Sequence, residues 1–218
     1  MPLRLPAICI VTRARGGANS PERAALLQRL GAAARAGASM VQIRERQFDD
    51  RQLIAFVGEV IDAVVPSGAA VIVNERTDLA LVAGASGVHL KGDGPSVEDV
   101  RRIVPTGFII GRSIHDAAQA LQASVSGSCD YLLFGTVFRS SSKPPDHLTA
   151  GIDGLEQVCR QVHIPVLAIG GLSVERARAV AEAGAAGIAA ISLFADTTDI
   201  AATVQALADA LTLPSRHV

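Results

Sequence analysis

The chain has 218 residues, 49% of them hydrophobic and 19% charged, with a formal net charge of -1. That apolar fraction supports a large core and excludes a disordered chain. The near-zero charge, one tyrosine and absence of tryptophan exclude the basic, ring-studded surface that nucleic acid requires. The apolar run in MPLRLPAICIVTRAR is too short for a signal peptide or a membrane span. Cys9, Cys129 and Cys159 are widely spaced and form no CxxC, so they read as unpaired thiols of a reduced, cytoplasmic protein.

In chain order, AICIVT (7–12) opens a series of short runs rich in Val, Ile and Leu. Ser20-Pro21-Glu22 then gives a cap and a first-turn proline for a helix over 21–36. SMVQIR (39–44) is followed by a helix over 49–64, and AAVIVN (69–74) by a short one over 76–83. GVHL (87–90) leads to Ser96, with Glu98 and Asp99 in the first turn of a helix over 96–104. FIIGRS (108–113), YLLFGT (131–136), PVLAIGG (165–171) and GIAAIS (187–192) precede helices over 115–125, 152–161, 173–183 and 197–211. Runs of this kind suit strands buried on both faces of a parallel sheet. Eight strand–helix units with no linker between them predict one domain over 1–218, a (β/α)8 TIM barrel. An open doubly wound sheet is the alternative.

Barrel chemistry sits at the carboxyl ends of the strands. Strand 2 is the most informative. Alternation puts Gln42, Arg44 and Arg46 on one face and Val41, Ile43 and Glu45 on the other. Val41 and Ile43 suit the outer helices, so Gln42, Arg44 and Arg46 turn toward the axis and mouth. Buried guanidinium groups need a partner; an anionic ligand supplies one, and an internal pair with Glu45 or Glu75 is the alternative. Lys91 and Lys143 are the only lysines among 20 basic residues, and both follow strands. Lys143, beside Ser140 and Ser142, suits phosphate oxygens. Gly170-Gly171 before a helix start, with Ser192 closing strand 8, match the phosphate site that barrels build after strands 7 and 8. His89 and His115 read first as structural hydrogen-bonders. No histidine pair has metal-ligand spacing. Mg²⁺ needs only one or two carboxylates plus phosphate oxygens, and Glu75 and Asp93 are the available rim acids.

Taken in order, VQIRER, IVNERTDLA, GVHL, IGRSIH, DYLLFGTVF with SSSK, PVLAIGGL and GIAAIS resemble the thiamine-phosphate synthase and TenI-type thiazole tautomerase family across 7–195. The resemblance implies a (β/α)8 barrel and, in the synthase branch, a transferase joining hydroxymethylpyrimidine pyrophosphate to thiazole phosphate with Mg²⁺. It implies pyrimidine and pyrophosphate contacts at Gln42, Arg44, Arg46, Asn74, Ser113 and Lys143, with Arg44, Ser113 and Lys143 closest to the chemistry. Ser140 and Ser142 stand where the family meets the thiazole phosphate or its carboxyl group. Gly170, Gly171, Ile191 and Ser192 stand where backbone N–H groups hold that phosphate. Glu75 replaces the family's aspartate, and Gly94 replaces a second metal-binding aspartate, with Asp93 one residue early. The tautomerase branch carries an acid–base histidine where this chain has Thr136, which leaves His115 as the alternative base. A non-catalytic barrel binding thiazole or thiamine phosphate is the third reading. The expected partners are small phosphorylated molecules, with no nucleic acid or membrane; a homo-oligomer is compatible with the sequence.

Overall fold

A computed structural model of the chain describes residues 3–14, 16–126, 129–140, 144 and 146–212. Its elements alternate from the start. They are β1 (Ala7–Val11), α1 (Pro21–Arg35), β2 (Met40–Ile43), α2 (Asp50–Val64), β3 (Ala70–Asn74), α3 (Thr77–Val82), β4 (Gly87–Leu90), α4 (Val97–Ile103), β5 (Ile109–Ile114), α5 (Ala117–Ser126), β6 (Tyr131–Phe134), α6 (Gly151–Gln161), β7 (Val166–Ile169), α7 (Val174–Glu182), β8 (Gly187–Ala190), α8 (Ser192–Ala195) and α9 (Ile200–Leu211). The strands pair in sequence order, all parallel, and β8 closes on β1 with Ala7 opposite Gly187. The expected TIM barrel is therefore present, and the open sheet is not.

Side-chain alternation sorts the strand residues into two cores. Met40, Ile72, Ile109, Tyr131, Leu133 and Leu167 point inward with small residues such as Ala7, Ala70 and Ala189. Ile8, Val41, Ile43, Val71, Val73, Val88 and Leu132 point outward into the helical jacket. The interior is filled by trading volume between strands. A Cβ on Gly111 would lie 2.1 Å from the Tyr131 Cζ, so that glycine makes room for the only tyrosine ring.

The helices start where their caps stand. Ser20 accepts from the Arg23 N–H (3.2 Å), and Asp49 with Gln52 forms a reciprocal capping box. Strands 6, 7 and 8 end earlier than the apolar runs suggest. Gly170 and Gly171 have φ of 102° and 62°, which breaks β7 after Ile169. Ser192 begins the short α8 rather than closing β8. Among the described residues, no helix is long and apolar enough to cross a membrane.

Candidate functional site at the carboxyl-terminal mouth

The floor of the mouth is a chain of amides and charges across β2, β3 and β4. Gln42 is buried, and its Nε2 donates to Asn74 Oδ1 (2.9 Å). Asn74 Nδ2 donates to Glu75 Oε1 (2.7 Å), and Lys91 Nζ sits 2.6 Å from Glu75 Oε2. Burial alone would push the Glu75 carboxyl up. The hydrogen bonds from Lys91 and Asn74, with the charges of Lys91 and Arg46, hold it below the usual carboxylate range. The buried Gln42 Oε1 has no partner among the described residues. A buried acceptor left unpaired is costly, and this one lies on the face that Gln42 shares with Arg44.

Above the floor stand two guanidinium groups. Arg44 is half-buried and Arg46 exposed. Among the described residues neither forms an ion pair. The internal pair with Glu45 or Glu75 is thus not made. Glu45 is turned away, accepting from the Ala14 N–H (2.8 Å) and Gln47 Nε2 (2.9 Å). Burial, then the like charge of Arg46, lowers the Arg44 pKa against the pull of Glu75 and Glu45. A cation left in this state is poised for an anion.

The wall between β4 and β6 is neutral. His89 is buried, with Nε2 2.8 Å from Ser113 Oγ and Nδ1 3.1 Å from the Tyr131 hydroxyl. Burial pulls its pKa down to about 4, so the ring stays neutral and orients Ser113. This supports the structural reading of His89. A histidine held neutral in the fold stabilises it fully above its unfolded pKa near 6.5, and that contribution is lost as pH falls from 6.5 through about 4. Urea denaturation at pH 7 and pH 4 should therefore show a loss that the His89→Phe variant lacks, about 3 kcal/mol in size. Identical pH slopes for the two proteins would contradict this account.

The corner between β6 and β7 collects the remaining candidates. His115 Nδ1 donates to the Gly135 carbonyl (2.7 Å), which leaves Nε2 as the ring nitrogen not held by that bond. Thr136 Oγ1 lies 3.1 Å from Nε2 of His147. His147 gave no signal in the sequence, because it lies in an irregular loop with no periodicity or motif around it. The loop after β6 is laid on the β7 turn: the Val137 and Phe138 N–H groups donate to the Ile169 and Gly170 carbonyls (both 3.0 Å). Ser140 is half-buried in that loop; Ser142 and Lys143 lie outside the described residues. Ile191 is the cap residue of α8 and Ser192 its first residue, directly after β8. Asp93 is exposed on the β4–α4 loop. Arg112 fastens that loop through the Gly92 and Pro95 carbonyls (2.6 and 2.9 Å). Among the described residues, no three His, Cys, Asp or Glu side chains gather into a metal site.

A closed (β/α)8 barrel with amide, hydroxyl and cationic groups around its carboxyl-terminal mouth defines a TIM barrel built to hold a small polar, anionic ligand. The family model described as thiamine monophosphate synthase, TMP-TENI, matches residues 9–194. The chain belongs to this family. The thiamine-phosphate synthase of Methanoculleus marisnigri is 36% identical over 183 residues, covering 84% of this chain and 85% of that protein. That of Coprothermobacter proteolyticus is 38% identical over 171 residues, covering 78% and 80%. The solved thiamine phosphate pyrophosphorylase from Pyrococcus furiosus superposes with a TM-score of 0.80 at 28% identity, over 94% of this chain and 95% of that one.

Proposed function

We propose that this chain is a thiamine-phosphate synthase, a transferase that joins hydroxymethylpyrimidine pyrophosphate to thiazole phosphate and releases pyrophosphate. The observation that carries the reading is the unpartnered Gln42 Oε1 at the floor of a mouth whose guanidiniums Arg44 and Arg46 form no ion pair among the described residues, in a chain that belongs to the family. An aminopyrimidine offers the donor that Gln42 Oε1 wants, and its pyrophosphate offers the anion that the arginines want.

In this reading the bond from the pyrimidine methylene to the pyrophosphate oxygen breaks, and the electron pair leaves on pyrophosphate. Arg44 and Arg46 stabilise that growing charge, with Lys143 assigned the same task. Ser113, oriented by neutral His89, and Asn74 hold the pyrimidine side. The lone pair of the thiazole nitrogen then captures the methylene cation, and no proton need move in this step. Thr136 and His115 are assigned to the thiazole, and Ser140 and Ser142 to its phosphate or carboxyl group. Gly170, Gly171, Ile191 and Ser192 receive its phosphate through backbone N–H groups.

Mg²⁺ is the cofactor that the family resemblance implies, with Glu75 and Asp93 as candidate ligands. The side-chain arrangement does not fit it. Both Glu75 carboxylate oxygens are engaged, one by Asn74 and one by Lys91, and Mg²⁺ demands near-ideal octahedral geometry from its oxygen ligands. The reading makes the partners two small phosphorylated molecules in the cytoplasm.

Purified protein given both substrates should form thiamine phosphate and pyrophosphate in equal amounts, followed by chromatography and a pyrophosphate assay. Neither product appearing would overturn the proposal. Isomerisation of the thiazole without coupling would instead favour a tautomerase, for which His147 beside Thr136 supplies the imidazole.

A further inference from the structure

Three positions at the ends of β3 and β4 act together. Glu75 has a left-handed backbone, with φ 66°, a conformation a long side chain adopts at a cost. From there its carboxylate meets Lys91 Nζ at 2.6 Å. Gly94 folds back beneath Lys91: its N–H donates to the Lys91 carbonyl (3.2 Å), and a Cβ placed on it would lie 3.8 Å from the Lys91 Cβ. A carboxylate at position 94 would thus neighbour the lysine stem, and glycine leaves that space to Lys91. Arg112, through Gly92 and Pro95, holds the loop in place.

An ammonium group carries three N–H donors. Glu75 occupies one, and Lys91 has no other side-chain partner among the described residues. A divalent ion reaching Glu75 would compete with the Lys91 ammonium on one carboxylate oxygen and with the Asn74 amide on the other. We propose that the Lys91 ammonium, anchored on Glu75, is the resident cation of this mouth and binds the departing pyrophosphate in place of a divalent metal. The inference rests on the synthase reading and deepens it. It divides the leaving-group charge between a point cation after β4 and the two guanidiniums after β2. Lysine suits the first role because its compact ammonium keeps two further donors beside the one given to Glu75.

Inorganic pyrophosphate is the probe, titrated calorimetrically into the full chain in EDTA and in Mg²⁺. Binding should be no tighter with Mg²⁺ than with EDTA. In EDTA, Lys91→Met should weaken it by about tenfold or more. Melting curves of both proteins keep a folding defect from being read as lost affinity, since Lys91 is half-exposed. Tightening by Mg²⁺ of about tenfold, or wild-type affinity in folded Lys91→Met, overturns the inference alone. Absence of pyrophosphate binding in both buffers overturns it as well. The coupling assay then decides whether the synthase reading falls with it: product formed means that it stands.

Discussion

Arg44→Ala should lower kcat/KM for the pyrimidine pyrophosphate on the order of 10²–10³-fold, the usual loss when one group aimed at developing anionic charge is removed. The same variant should melt no lower than the wild type. The two outcomes share one cause. In the free protein Arg44 is half-buried and forms no ion pair among the described residues. Its charge is disfavoured by burial and by Arg46. Removing it relieves both effects in the ligand-free fold. A bound pyrophosphate reverses the balance, because its negative charge offsets the repulsion between the two guanidiniums. Arg46 is exposed, so water screens it more, and Arg46→Ala should cost only about tenfold. Steady-state kinetics and thermal melts of both variants check this. An Arg44→Ala enzyme within about threefold of wild type would remove Arg44 from leaving-group binding.

Much of this was legible before any coordinates. The barrel followed from the alternation of short apolar runs with capped helices, and both signals are local. Strand 2 was readable in detail because its two faces differ so sharply: Val41 and Ile43 lie in the helical jacket, and Gln42 lies inside the barrel. Less legible were features set by backbone turns. The run GIAAIS looks like strand throughout, yet its last residue starts α8. Glu75 and Lys91 follow different strands, and their meeting depends on a left-handed residue that no apolar pattern announces. Glu75 therefore read as a free rim acid, whereas its carboxylate is already engaged. His147 reaches Thr136 across an irregular loop, where neither periodicity nor capping constrains a side chain. The motif positions located the mouth; the pairings within it are long-range and needed three dimensions.

Gly171→Ala should combine lost affinity with lost stability, and Gly184→Ala should separate the two. Both glycines have positive φ, 62° and 93°, so each replacement meets the left-handed penalty of roughly 1–2 kcal/mol. Their surroundings differ. Gly184 follows the Ala183 cap of α7, and an added Cβ would lie 3.1 Å from the Cys159 Cβ, a tight contact that a shift of a few tenths of an ångström relieves. At Gly171 the Cβ would lie 2.3 Å from the Arg139 carbonyl and 2.7 Å from that of Phe138. Those atoms are backbone, so the loop after β6 must lift from the β7 turn. That movement also displaces the hydrogen bond from the Phe138 N–H to the Gly170 carbonyl. Gly171→Ala should thus lose about 2–4 kcal/mol of stability and raise KM for thiazole phosphate by about tenfold or more. Gly184→Ala should lose about 1–2 kcal/mol with KM unchanged. Urea denaturation and kinetics on the two variants decide the matter. Equal stability losses, with an unchanged KM in both, would mean that the contact of the β6 loop with the β7 turn does not shape the phosphate pocket.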